Sequence, residues 1–424
     1  MLLILAGVSI SLILDNNGII KKSKDARREY RQAQANEQAD LSDLSDLIDD
    51  ATAEPTPKVN VNTKAEDNST INGKKGNSNN PTVPKGYIPI NTETSSWGDG
   101  TSAPTQDSVD HGLVIKGDSD DNEWVWIPVD ETTLATMCNT SNETEYTLCG
   151  TSGETAVKTK LYSSTITIGK DSNTITRTTP GTTSDYREPD LVVGSNGTSY
   201  DAKEEYYKDI LGFSSKEKMA EAFVADYNEM IVSIGKYGGF YIGRYELSES
   251  GVKKDQPTLT KTNWYDLYQK CKILNASNKV EARMICGCQW DATMNWLISS
   301  GAKTSDEVNK DSSSWGNYYS TSVKAEDGTT EIKASKKTEK LNTGVTTFTM
   351  ANNIYDLAGN VSEWTQEAYS TYSRAKRGGV FNADGSAFPA SDRGNYSPGG
   401  SGYVNLRFSS HFNNKVIKSV RNFV

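Results

Sequence analysis

Five cysteines in 424 residues, at positions 138, 149, 271, 286 and 288, are too few to staple a chain of this length, so buried apolar side chains must hold its fold. Hydrophobic residues make up only 35% and mean hydropathy is −0.62, so part of the chain is expected to stay outside any packed core. The polar material lies at 50–80, 139–186 and 324–344, which are rich in Thr, Ser, Asn and Lys. Cys138 and Cys149 flank such a segment and can close a loop, whereas Cys286 and Cys288 alternate on a strand-like run and read as buried thiols. Histidine is limited to His111 and His411, a poor supply for zinc or iron. A net charge of −10 repels phosphate backbones, so nucleic acid is not an expected partner. The basic run Lys21–Arg31 follows an apolar segment and suits a membrane surface.

That apolar segment, Leu2–Leu14, is shorter than the roughly 17–25 residues a helix needs to span a bilayer. It has neither the basic start nor the small-residue cleavage site of a signal peptide. Residues 21–48 suit a long polar helix, with Leu41, Leu44, Leu47 and Ile48 at helical spacing, closed by Pro55 and Pro57. An apolar helix running into a charged one resembles the stalk of type IV pilin-like proteins, without their leader and Phe-Thr-Leu-x-Glu start. The resemblance implies a truncated anchor over 1–50, a membrane or pilus-like assembly as partner, and a bacterial cell-surface location. Residues 51–104 read as a flexible linker, because Pro, Thr, Asn, Gly and Ser dominate without an apolar period.

Order is expected from 105 to 410, with a polar insertion at 131–200 and a tail at 411–424. Two strand-like runs, 113–115 and 124–129, flank the turn Gly117–Asn122, whose acidic residues suit a solvated hairpin tip better than a calcium loop. Lys216–Ile234 carries an apolar stripe (Met219, Ala222, Phe223, Ala225, Tyr227, Met230, Ile231) and is stopped by Gly235, Gly238 and Gly239. The spacing then predicts a strand over 240–245, a helix over 263–274 capped by Thr262 or Asn263, a strand over 282–289 and a helix over 290–299. Beyond Asp311 loops dominate. This pattern reads as an α+β fold rich in loops.

Six motifs fall in order along the C-terminal part. They are Phe240-Tyr241-Ile242-Gly243-Arg244-Tyr245-Glu246; Asn263-Trp264-Tyr265-Asp266 running to Cys271; Arg283 to Asp291 with Trp290; Tyr355-Asp356-Leu357-Ala358-Gly359-Asn360-Val361-Ser362-Glu363-Trp364; Arg377-Gly378-Gly379-Val380-Phe381; and Asn405-Leu406-Arg407. Together they resemble the domain of the formylglycine-generating enzymes, or sulfatase-modifying factors, which implies a C-type-lectin-like fold. On their own terms, Trp264, Trp290 and Trp364 are large enough to anchor a core built from loops. Asp356 and Glu363 bracket the backbone carbonyls of Gly359 and Val361, a set of hard oxygen ligands suited to structural calcium, and the resemblance implies calcium at these four positions.

The resemblance does not carry its catalysis with it. The family's oxidases use a cysteine pair just beyond Arg-Gly-Gly for copper, and residues 382–402 contain no cysteine. The related sulfoxide synthases bind iron through three histidines, one more than the chain has. Neither copper nor iron is therefore expected, and no other catalytic motif stands out. Residues 382–405 are instead rich in Gly, Ser, Asn and Tyr, the vocabulary of recognition loops. Candidate contacts are Phe388, Asp392, Arg393, Tyr396 and Tyr403. The expected function is a non-enzymatic, cell-surface or pilus-tethered binding protein for a protein or glycan ligand. Domains of this fold include receptors diversified by retroelements. The alternatives are a structural pilin-like subunit and, less favoured, an oxidoreductase of the formylglycine-generating type.

Overall fold

The computed structural model describes residues 56–130, 133–134, 165–168, 173–176, 188, 190–194, 196–274, 280–400 and 404–412. The chain divides into Met1–Thr56 and Pro57–Val424. The anchor helix expected over 1–50 lies outside the described residues, as do Cys138, Cys149 and Tyr403. Among the described residues no helix is long and apolar enough to cross a membrane.

In chain order the main elements are β1 (Tyr87–Ile90), α1 (Gln106–Asp110), β2 (Val114–Gly117), β3 (Glu123–Pro128), α2 (Lys216–Tyr237), β4 (Gly239–Gly243), α3 (Trp264–Leu274) and β5 (Val280–Met284). There follow α4 (Gly287–Ser299), α5 (Ser305–Asn309), β6 (Ser362–Ser370), β7 (Ser373–Arg377), β8 (Arg393–Tyr396), β9 (Val404–Leu406) and β10 (Phe408–Phe412). Six strands form an antiparallel sheet in the order β1-β2-β3-β4-β10-β5. A second sheet has the order β8-β7-β6-β9, antiparallel except where β9 joins β6. Helices beside antiparallel sheets make the fold α+β.

Local chemistry explains the elements. α2 starts where the Ser215 hydroxyl accepts from the Lys218 N–H (3.3 Å) and ends at left-handed Gly238. Gly235 lies inside the helix, which runs three residues beyond the expected Ile234. α3 starts where the Asn263 side chain accepts from the Asp266 N–H (2.9 Å), one of the two caps expected from sequence. Residues Trp124–Ile127 of β3 are all buried, which accounts for the continuous apolar run there. All eight tryptophans are buried, and Trp290 donates its Nε1–H to the Ala390 carbonyl at 3.1 Å.

Three expectations need correction. Residues 57–104 are not a free linker: Val59, Ala65, Ile71, Val83 and Trp97 are buried in the main core, and Tyr87–Ile90 pairs with β2. The packed unit thus begins at Pro57 rather than at 105. The strand expected over 282–289 stops at Met284, because Cys286 becomes the N-cap of α4 and takes Cys288 into the first helical turn. There the Cys286 N–H donates to Gln289 Oε1 at 3.0 Å, and the buried Glu188 carboxylate accepts from the Gly287 and Cys288 N–H groups. Finally, the tail does not begin at 411. His411 and Phe412 belong to β10, which sits between β4 and β5 inside the sheet.

The docking of 57–104 is testable at Trp97, whose indole is fully buried and donates to the Val114 carbonyl at 2.8 Å. Trp97→Ala is expected to cost about 3–5 kcal/mol in denaturant unfolding, whereas a side chain in a loose linker would cost almost nothing.

Candidate functional site

The motif Tyr355–Trp364 is a succession of backbone turns that delivers its carboxylates into the core. A hairpin, Met350–Ala351 with Ile354–Tyr355, turns through Asn352 and Asn353, both at positive φ. Asp356, Gly359 and Asn360 then adopt φ of 59°, 72° and 51°. Gly359 is required on steric grounds as well, since a Cβ there would lie 2.3 Å from the Asn317 carbonyl oxygen. Asn360 fixes the turn with its whole amide. Its Oδ1 accepts from Asn317 Nδ2 and the Leu341 N–H (3.0 Å each), and its Nδ2 donates to Glu246 Oε2 at 2.6 Å.

Glu363 is fully buried, and its Oε1 accepts from Arg407 Nε (3.2 Å) and Nη2 (3.0 Å). The Asp356 carboxylate accepts from the Thr343 hydroxyl and the Gly344 N–H, both at 2.9 Å. Burial pushes the Glu363 carboxyl up to about 8, against the pull of Arg407, and raises Asp356 and Glu246 too. The two carboxylates among the calcium candidates thus have partners within the protein, although Glu363 Oε2 is buried with no hydrogen-bond partner among the described residues. Arg407 supplies positive charge at Glu363, and hydrogen-bond donors occupy Asp356. With Arg407 against Glu363 and donors on Asp356, these two carboxylates fit a calcium cage poorly as they are arranged, and no role is derived through calcium. Composition alone could not reveal Arg407 as Glu363's partner, because 44 residues separate them.

The recognition-loop candidates gather around β8, an edge strand of the second sheet. Phe388 is held by its backbone: the Tyr318 hydroxyl donates to its carbonyl at 2.9 Å, and Gly379 (φ 78°) passes so close that a Cβ would lie 2.3 Å from the same oxygen. The Phe388 ring is 39% exposed, with Lys376 Nζ 5.7 Å from its centroid. Tyr396 is 40% exposed and tilts against buried Trp364, centroids 6.1 Å apart. Burial lowers the Lys376 ammonium while nearby Asp392 opposes the shift.

Arg393 differs from the expectation of a ready contact. It is ion-paired with buried Glu367, its Nε at 2.7 Å from Oε1, and it lies over the Tyr369 ring at 4.5 Å. It supports the strand more than it offers itself to a ligand. Lys376, which sequence reasoning passed over, is brought to the face by register: it pairs with Trp364 on one side and Gly394 on the other. Its signal was its place one residue before Arg377.

No known family profile matches the chain, and none of the curated proteins matches it. Among solved structures it is similar to Treponema denticola variable protein 1, with 18% identity over 42% of this chain and 88% of that one, at a TM-score of 0.27. It is also similar to PvdO from Pseudomonas aeruginosa, with 15% identity over 41% and 81% of the two chains, at a TM-score of 0.27. Likenesses this distant carry no argument about the site.

Two measurements follow from the buried charges. Adding calcium to chelator-treated protein is expected to leave the melting temperature unchanged; a rise of several degrees that disappears in Glu363→Gln would reinstate the calcium site. The second concerns Glu367, whose carboxyl burial pushes up to about 7, with Arg393 pulling it down and Glu188 pushing it up. Across the window from its ordinary value of 4.5 to about 7, the native state binds more protons than the unfolded chain, so stability falls as pH rises. The contribution is fully present below that window and absent above it. Urea unfolding from pH 5 to 8 is expected to show a loss of stability to which Glu363 also contributes, and Glu367→Gln is expected to reduce that loss by about 1–3 kcal/mol. An identical slope in that variant would assign the effect to another group.

Proposed function

We propose that Pro57–Val424 is a non-catalytic binding module of a cell-surface protein, and that it recognises its partner through the face made by Phe388, Lys376 and Tyr396. One observation carries this reading. Of the four large apolar or aromatic side chains exposed among the described residues (Tyr319, Tyr372, Phe388 and Tyr396), Phe388 lies against the partly buried Lys376, and Tyr396 packs on Trp364, the cross-strand partner of Lys376. Aromatic rings held on a rigid sheet supply contact area at low entropic cost, and a desolvated cation adds direction. The order of the six sequence motifs supports a C-type-lectin-like domain of the formylglycine-generating-enzyme kind. The lack of cysteine over 382–402 supports a domain of that kind put to binding instead of oxidation. The apolar start of the chain supports a membrane or pilus-like tether. Retroelement-driven variation would act on this same loop region.

The test is binding of the full chain to arrays of glycans and bacterial surface proteins. Phe388→Ala and Tyr396→Ala are each expected to weaken a hit about tenfold or more. Tyr372→Ala, an exposed aromatic elsewhere, should leave it intact. A hit untouched by the double variant would remove this face from recognition. No hit from folded protein would favour a structural pilin-like subunit, and oxidation of a cysteine peptide would overturn the non-catalytic reading.

A further inference from the structure

α1, the end of β3 and α4 wall a cleft of about 440 Å³ whose lining residues are all distinct from those of the recognition face. Its volume falls in the roughly 300–1,000 Å³ range of small-ligand sites. Trp296 and Pro128 supply apolar surface, and Gln106, Asp110, Asp130 and Asn295 supply most of the polar reach. Among the described residues no lysine or arginine lines the cleft, so they offer an anionic ligand no counter-charge there.

The polar groups are held before any ligand arrives. Gln106 Nε2 donates to Asp110 Oδ1 at 2.8 Å, and Asp130 Oδ1 accepts from the Thr133 N–H at 2.7 Å. That hydrogen bond keeps the Asp130 carboxyl below its ordinary range, hence an acceptor at neutral pH. The wall at Ser78 is fixed by Trp126, whose Nε1–H donates to the Ser78 carbonyl at 2.8 Å. On α4, Ala292, Asn295, Trp296 and Ser299 follow one another at helical spacing along the cleft. Trp296 is 6% exposed, and its buried Nε1–H has no acceptor among the described residues.

We propose that this cleft binds a neutral saccharide, whose apolar face meets Pro128 and the small exposed part of Trp296 while Asp110, Asp130, Gln106 and Asn295 hydrogen-bond its hydroxyls. Amides and carboxylates bracketing an aromatic suit vicinal hydroxyls, each of which donates and accepts. The lack of a cation among the described lining residues disfavours phosphates and acidic sugars. The cleft is independent of the recognition face, and either can fail without the other.

The experiment is calorimetric titration of the full chain with cellotetraose, chitotetraose, maltotetraose and mannotetraose, with tryptophan emission followed in parallel. At least one is expected to bind saturably and to shift the emission. Asn295→Ala and Asp110→Asn, both at the polar rim, should each weaken it about tenfold without lowering the melting temperature. Trp296→Phe should abolish the emission change. Failure of all four sugars to bind overturns the proposal, as does binding that survives the Asn295→Ala, Asp110→Asn double variant. Binding lost instead in Phe388→Ala or Tyr396→Ala overturns it too, and moves the sugar to the recognition face.

Discussion

Arg407 is the point on which the two sheets depend. From the single residue between β9 and β10, its buried guanidinium reaches the Gly243 carbonyl at the end of β4 (2.8 Å), the Tyr355 carbonyl before the turn (2.7 Å) and Glu363 on β6. One side chain thus ties the six-stranded sheet, the motif turn and the second sheet together. Removing one partner of such a pair leaves a buried charge without an answer, which costs far more than the pair contributes net.

The same solution recurs. Arg374 pairs with Asp201 beneath the ring of Trp264, its guanidinium carbon 4.1 Å from the centroid, and Arg377 pairs with Asp291 on α4 at 2.5 Å. Tyr265 donates to Asp201 at 2.5 Å, and Gln366 bonds to the backbone of Met284 and Ile285. A loop-rich chain with few cysteines therefore fastens distant segments by directional charge and hydrogen bonding around a tryptophan core. The recognition face rests on this frame: β8 pairs with the strand that carries Arg374 and Arg377, and Phe388 is clamped by Tyr318 and Gly379.

Elements with local signals were legible in the sequence. α2 announced itself by its apolar period, α3 by a cap at Thr262 or Asn263, and the hairpin of β2 and β3 by its acidic turn. Residues 57–104 mislead because their burial rests on isolated apolar side chains such as Val59, Ile71 and Trp97, which have no period and gain their place only from distant partners. Cys286 and Cys288 mislead because alternation over so few residues cannot separate a strand from a helix start. The exposed aromatics of the loop face could be picked out by composition. Their companion Lys376 could not, since only strand register brings it beside them. The partners of the buried carboxylates were the least legible: sequence singled out Asp356 and Glu363 as calcium ligands, and nothing local shows that Arg407 lies against Glu363.

The place of β10 has a consequence for how the protein is made. Residues 408–412 lie in the interior of a sheet whose other strands all precede Met284. On the ribosome β4 and β5 are synthesised well over a hundred residues before the strand that joins them, and each must wait with an open backbone edge. A premature stop just before β10 releases a chain that has nearly all its core residues and no means of closing its main sheet. Such a fragment would be a substrate for proteases and self-association rather than a shortened but folded protein.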